Sequence, residues 1–240
     1  MCEKAMVFDK RKKLFFGLKL SLIEIIKIIY FWAIQQEVVT ITKMIEVSNK
    51  TVIAYFKILR ELSIKALEKN KMMIGGDGSI VEIDESLMAK VKHWKGIFER
   101  KIIEPFVELF FFVGRDLKRK QIWVFGMKTR GKKECLFFVV ESRDAVTLLP
   151  LIVQHVKSGS IIMSDCWKAY NNINQHGYSH YTVNHSYNFV NPDVIDKNFK
   201  VHTNGIESIW KDAKRQLKRM AGIKRGYVQS YLDEFTWRYM

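Results

Sequence analysis

The chain has 240 residues, 40 Lys+Arg against 25 Asp+Glu, a formal net charge of +15 and a pI ≈ 9.6. Hydrophobic content of 48% and charged content of 27% exclude a disordered polymer and describe one or two globular domains, and the basic excess favours a polyanionic partner, nucleic acid first. Cys2, Cys135 and Cys166 stand far apart with no CxxC pair, which excludes a zinc finger or disulfide framework and suits a reducing compartment.

Residues 18–33 are the most apolar stretch near the N-terminus, but Lys19, Glu24 and Lys27 interrupt it and it is short for a membrane span. Leu22, Ile25, Ile26, Ile29, Tyr30 and Ala33 recur at helical spacing, which predicts a helix with that face inward. A short helix is expected over 40–47. Ser48 then suits an N-cap, because its hydroxyl can accept from a free N–H of the next turn. In the helix that follows, Val52, Phe56, Leu59 and Leu62 share one face, and Lys50, Lys57 and Arg60 lie mostly elsewhere. Short helix, tight turn and longer helix make an all-α, helix-turn-helix-like region over 1–75. Lys50, Lys57 and Arg60 are its candidate DNA contacts. A plain helical bundle would give the same pattern.

Gly75-Gly-Asp-Gly78 is the clearest break, and a second domain is expected over 76–240. Strands are predicted at 80–83, 121–127 and 134–140, then a helix over 145–156. Further strands are expected at 160–164 and 180–184, with a short helix starting near Trp167 between them. The apolar run 106–113 reads as a buried strand. A helix over 204–220 carries Ile206, Ile209, Trp210, Ala213 and Leu217 on one face. The first three strands suit hairpins and the later ones parallel addition, giving a mixed α/β sheet flanked by helices. No Walker or Rossmann glycine pattern is present.

Three acidic strings stand out in this basic chain: Val81-Glu-Ile-Asp84, Ile161-Ile-Met-Ser-Asp165 and Asn204-Gly-Ile-Glu207. Asp84 is expected near the end of one strand and Asp165 at the end of another, so neighbouring strands would bring them together. Glu207 falls in a first helical turn. Oxygen ligands of this kind suit Mg²⁺, and two ions about 3.5–4 Å apart serve phosphodiester chemistry. Each residue also has a structural use: a turn former at Asp84, a helix cap at Asp165, a helix-dipole partner at Glu207. Lys211, Lys214, Arg215, Lys218 and Arg219 crowd the Glu207 helix and could bind DNA phosphates. Trp167, Tyr170 and Trp210 read as core, the last fixing the Glu207 helix. His185 and His202 could approach a metal or a phosphate.

Further strings lie in the same order along the second domain: Ile83-Asp84-Glu85-Ser86, Trp123-Val124-Phe125-Gly126, Leu148-Leu149-Pro150, Ser164-Asp165-Cys166-Trp167-Lys168-Ala169-Tyr170, Tyr181-Thr182-Val183-Asn184-His185-Ser186, His202-Thr203-Asn204-Gly205-Ile206-Glu207-Ser208-Ile209-Trp210 and Tyr231-Leu232-Asp233-Glu234-Phe235-Thr236-Trp237-Arg238-Tyr239. Together they resemble the catalytic domain of Merlin-superfamily DDE transposases and related bacterial insertion-sequence transposases. The resemblance implies a ribonuclease H-like fold and cut-and-paste DNA transposition. It assigns the triad and metal ligands to Asp84, Asp165 and Glu207, with Mg²⁺ or Mn²⁺, two ions, as cofactor. It also implies double-stranded DNA (terminal inverted repeats and target) as partner, and a homo-oligomer on paired ends. Three departures accompany it. Only Cys2 stands where relatives often carry a cysteine-rich segment, residues 99–120 are longer and more apolar than the usual link, and 188–200 lengthen the link before Glu207.

The expected function is therefore metal-dependent cleavage at transposon ends and strand transfer. The competing reading is a catalytically inactive, domesticated DNA-binding derivative, and a third is a nuclease that cuts without joining. The expected compartment is the nucleus in a eukaryotic host and the cytoplasm otherwise, with no membrane association.

Overall fold

The computed structural model describes residues 20–68, 72–88, 121–184, 200–220 and 223–240. The segment 99–120, the strand expected at 106–113, His185 and most of the 188–200 link lie outside the described residues. The chain divides into two compact units, Met1–Lys71 and Met72–Met240.

The first unit contains helices α1 (Leu22–Ala33), α2 (Val38–Ile45) and α3 (Asn49–Glu68). Ser21 and Glu24 form a reciprocal capping box at the start of α1, with Ser21 Oγ accepting from the Glu24 N–H and the Glu24 carboxylate accepting from the Ser21 N–H. Glu46 adopts φ 55°, a left-handed conformation that ends α2. Ser48 Oγ then accepts from the Thr51 N–H at 3.2 Å, capping α3 as its sequence position suggests. Ile25, Ile28, Ile41, Ile45, Val47, Val52 and Tyr55 make the core. The inward face of α1 differs from the expected one. Ile25, Ile28 and Trp32 are buried, whereas Leu22, Ile26 and Tyr30 are exposed. The helix is apolar nearly all round, so its periodicity does not select a face.

The second unit is built on a five-stranded mixed sheet in the order β4-β3-β2-β6-β7. Its strands are β2 (Ile80–Met88), β3 (Ile122–Thr129), β4 (Cys135–Val140), β6 (Ile161–Asp165) and β7 (Ser179–Val183). Two short strands, β1 (Ile74–Gly75) and β5 (Val156–Lys157), pair in parallel beside it. The glycine run thus lies just inside this unit. Antiparallel ladders join β2 to β3 and β3 to β4. Helix α4 (Ala145–His155), capped by Asp144, carries the chain across to β6, which pairs in parallel with both β2 and β7. Between β6 and β7 come two 3-10 turns, Lys168–Tyr170 and Ile173–His176, where a short helix was expected. Helices α5 (Asn204–Arg219) and α6 (Val228–Tyr239) follow.

The strand alternation sorts side chains into two layers. Val81, Ile83, Phe125, Met127, Leu136 and Ile162 pack with Leu148 and Ile152 of α4 on one face. Val124, Cys135, Phe137 and Met88 pack with Ile206, Trp210, Val228 and Leu232 of α5 and α6 on the other. Gln229 of α6 accepts from the Val139 N–H and donates to the Phe137 carbonyl, so the outer edge of β4 is paired by a side chain.

Candidate active site

The second unit's sheet parts where its acids lie. Parallel pairing between β2 and β6 ends at Glu82↔Met163. Yet β2 stays paired with β3 as far as Met88↔Ile122, and β6 with β7 as far as Asp165↔Val183. Asp84 is therefore not at a strand end, as expected, but mid-strand, just beyond the point where β2 loses its β6 neighbour. Continuing the register would set Asp84 beside Asp165. Here the sheet also changes construction, from antiparallel pairing on one side to parallel pairing on the other. Crevices at such switch points are where open α/β sheets bind their ligands.

The carboxylate charges act on one another here. The Asp84 carboxyl is pushed up to about 7, first by burial, next by the Asp165 charge and least by Glu207. The Glu85 backbone N–H and the indole of Trp210 oppose that rise; Trp210 Nε1 donates to Asp84 Oδ2 at 3.0 Å. Glu85 is pushed up to about 8 by burial and by Asp165 and Asp84, against the pull of Arg143. Its Oε1 is buried without a hydrogen-bond partner, and its Oε2 stands 4.0 Å from Arg143. Asp165 Oδ1 accepts from the Trp167 N–H at 3.0 Å, which closes a local turn and not the expected helix cap: the 3-10 turn that follows begins at Lys168 and has no side-chain cap. Glu207 lies exposed in the first turn of α5 and accepts from Thr203 Oγ1 at 3.2 Å.

Helix α5 is tied to β2 by a residue that the sequence reading passed over. Glu82 is fully buried, and its Oε2 accepts from the Ile206 N–H at 2.9 Å. Its Oε1 accepts from Arg130 Nε at 2.8 Å. Arg130 also donates to the Lys200 and His202 carbonyls, both at 2.8 Å. A carboxylate at a helix N-terminus satisfies a free N–H and favours the dipole, so Glu82 ties down the first turn of α5, which carries Glu207. The same contact explains Gly205, because a Cβ there would stand 2.6 Å from Glu82 Oε2. Gly126, paired with Asp84 across β3, leaves room for the Trp210 ring in the same way; a Cβ would meet Trp210 Cζ2 at 2.5 Å.

The other predicted residues fall in several places. Lys214 is half-buried on α5; burial lowers its pKa and the Asp84 charge opposes that. Lys211 and Lys218 are exposed on α5, while Arg215 pairs with Asp212 at 2.8 Å. In the first unit Lys50 is exposed and Lys57 lies 3.8 Å from Glu61. Arg60 is buried, contrary to its expected place on a DNA-facing surface. His202 stays below its usual pKa through burial and the Arg130 charge, and its Nδ1 sits 3.2 Å from Arg130 Nη2. It is part of the brace on α5. Trp210 and Tyr170 are core residues, but Trp167 is 39% exposed, against expectation.

Hard divalent cations take carboxylate oxygens, and Mg²⁺ commonly needs only one or two from protein, the rest coming from water and substrate phosphate. Among the described residues no three His, Cys, Asp or Glu side chains stand as a ready-made cage. The crevice offers an acid pair, Asp84 and Asp165, with the Glu207 charge also felt at Asp84, and burial with these charges raises the Asp84 carboxyl. This donor set suits a cation that is completed by a phosphate. Asp84, Asp165 and Glu207 are the residues that could hold it.

Residues 79–240 match the ISXO2-like transposase domain. The chain belongs to that family. The match covers the whole transposase sheet from β2 onward and all three candidate acids. An uncharacterized transposase-like protein of Haemophilus influenzae is 35% identical over 102 residues, which are 42% of this chain and 76% of that relative. Within the transposase domain, Glu82, Arg130, Gly126 and the Trp210–Asp84 bond were missed from sequence. One signal was available: Glu82 and Asp84 occupy alternate positions of one strand, so both side chains must leave the sheet on the same covered face.

Proposed function

We propose that this chain is a metal-dependent DDE transposase whose catalytic acids are Asp84, Asp165 and Glu207. The observation that carries this reading is the parting of β2 from β6 with Asp84 and Asp165 in the gap, where burial first and the Asp165 charge second lift Asp84 to about 7. Carboxylates gathered at such cost in a chain of net charge +15 suit cations held against DNA phosphate. Membership of a transposase family supports the same reaction: hydrolysis at the end of a mobile element, then attack of the freed 3′ hydroxyl on target DNA. Mg²⁺ or Mn²⁺, as a pair, would activate the attacking oxygen and stabilise the leaving one.

The chain's own residues do the positioning. Trp210 holds the Asp84 carboxylate in one orientation. Glu82 and Arg130 fix the first turn of α5 and with it Glu207. Lys214, beside Asp84, is placed to offset phosphate charge, and Lys211 and Lys218 extend a basic track along α5. The sheet order, with three antiparallel strands and two added in parallel, supports a ribonuclease H-like catalytic domain of the Merlin and insertion-sequence kind. The α2–α3 pair, joined by a short turn with Glu46 left-handed, supports a helix-turn-helix-like DNA-binding unit with Lys50 and Lys57 outward. Its partners are then terminal-repeat and target DNA, bound by a homo-oligomer. The place of action is the compartment that holds the DNA: the nucleus of a eukaryotic host, otherwise the cytoplasm. Among the described residues no helix is long and apolar enough to cross a membrane.

The test is incubation of the protein with DNA carrying the element's terminal inverted repeats and Mg²⁺ or Mn²⁺. Cleaved ends and strand-transfer products are expected. Salt-sensitive DNA binding with no cleavage under either metal would leave only the DNA-binding part of the reading.

A further inference from the structure

Trp167 is placed and braced in a way that core packing does not explain. It is 39% exposed, yet it is held at several points. Its backbone N–H donates to Asp165 Oδ1 at 3.0 Å, and its indole Nε1 donates to the Arg143 carbonyl at 2.8 Å. The Arg143 guanidinium lies 4.7 Å from the indole centroid and 3.7 Å from that of Trp123, with Glu85 4.0 Å away to balance its charge. The polar edge of the indole is thus satisfied and one face is covered by a cation. What remains exposed is apolar ring surface, held by the Arg143 carbonyl and guanidinium, on a residue whose backbone N–H bonds a crevice carboxylate. A solvent-facing tryptophan with no ligand would gain little from such a brace. Next to it Lys168 is exposed and basic.

We propose that Trp167 is a stacking platform for an unpaired nucleobase of the DNA strand that lies across the Asp84–Asp165 crevice. Every base has a π-face, and aromatic stacking needs no particular base identity. A phosphate at the acids places a neighbouring base close to Trp167, whose backbone N–H bonds Asp165. Arg143, stacked against the other side of the indole, adds attraction for the electron-rich base and keeps the ring from rotating. The platform would hold a base drawn out of the helix at the cleavage point, where a paired duplex leaves no face free. This rests on the reading of the crevice as a DNA-cleaving site.

The test uses the full chain and two DNA duplexes with 2-aminopurine near one end, one fully paired and one with that base unpaired. Binding and 2-aminopurine fluorescence are measured without added metal for the wild-type protein, Trp167→Phe and Trp167→Ala. Wild type should quench the unpaired probe on binding. Trp167→Ala should lose the quenching and bind the unpaired DNA about 5- to 100-fold more weakly, with paired-duplex affinity unchanged. Trp167→Phe, which keeps a smaller ring, should fall between. Wild-type quenching and affinity in Trp167→Ala, with DNA bound normally, would overturn the platform and leave the transposase reading intact. Failure of wild type to bind either duplex would overturn both.

Discussion

Trp210 donates its indole N–H to Asp84 Oδ2 at 3.0 Å, which joins the third acidic motif to the first. The ring packs against Phe137 with centroids 4.8 Å apart and fills the space that Gly126 leaves open. One side chain therefore sets the distance between α5 and β2 and also stabilises the ionised form of Asp84. Trp210→Phe should keep most of the packing and lose the bond, at a cost of about 1 kcal/mol in stability. Without that donor the Asp84 carboxyl rises further, so the acidic limb of the cleavage pH profile should move to higher pH. A profile unchanged in Trp210→Phe would show that the bond does not tune Asp84.

Gly126→Ala attacks the same arrangement from the strand side. The added Cβ would stand 2.5 Å from Trp210 Cζ2 on a buried ring, so the indole must shift. Overpacking of this kind typically costs about 1–3 kcal/mol. Denaturant unfolding should show that loss, and DNA cleavage should fall more than Trp210→Phe makes it fall. A variant of wild-type stability and activity would mean that the ring can move aside freely.

The raised carboxyls make stability depend on pH. Asp84 titrates at about 7 and Glu85 at about 8 in the folded chain, against 3.8 and 4.5 ordinarily. Between those limits the folded state holds protons that the unfolded state has released, so stability falls as pH rises. The contribution is fully present below about pH 4 and lost by about pH 8. Metal-free protein should therefore be less stable at pH 8 than at pH 5. Asp84→Asn should flatten that slope and stabilise the protein at pH 8 by on the order of 2 kcal/mol. Mg²⁺ should raise the Tm of wild type at pH 8 and leave that of Asp84→Asn nearly unchanged. Equal slopes for wild type and Asp84→Asn would contradict the crowding of charge at the crevice.

Glu82 is buried and pairs with the partly exposed Arg130, and each partner also serves the backbone. Arg130→Met would leave the Glu82 carboxylate uncompensated, and breaking such a pair typically costs about 3–5 kcal/mol. Arg130→Lys should recover little, since one ammonium cannot replace a fork that bonds Glu82, Lys200 and His202 together. Hydrogen exchange should quicken at Ile206 and Glu207 in both variants, while the β3–β4 ladder stays protected. Uniform loss of protection across the sheet would instead make the pair a general stabiliser rather than a brace on α5.

Much of this was legible in the sequence because local pattern and tertiary demand agree. The apolar alternation around Ile83, the run before Asp165 and the stripe Ile206, Ile209, Trp210, Ala213 each have one reading, and the structure places β2, β6 and α5 there. Other features depend on partners distant in sequence. The inward face of α1 is chosen by α2 and α3, since the helix itself is apolar on most sides. Asp84 lies mid-strand because β3 continues to pair with β2 after β6 has left it. The role of Glu82 depends on α5, far along the chain, from whose Ile206 N–H it accepts. Trp167 read as core by its type, although the chain holds it at the surface with the Arg143 carbonyl.

The most direct measurement is Mg²⁺-dependent cleavage of terminal-repeat DNA by Asp84→Asn, Asp165→Asn and Glu207→Gln, beside wild type and with DNA binding followed in parallel. These near-isosteric changes remove ligand charge and keep shape. Loss of cleavage by about 100-fold or more in each, with DNA still bound, is the predicted result for acids that hold the ions in the reaction. Cleavage at the wild-type rate by Asp84→Asn or Asp165→Asn would contradict the assignment of the crevice as the catalytic centre.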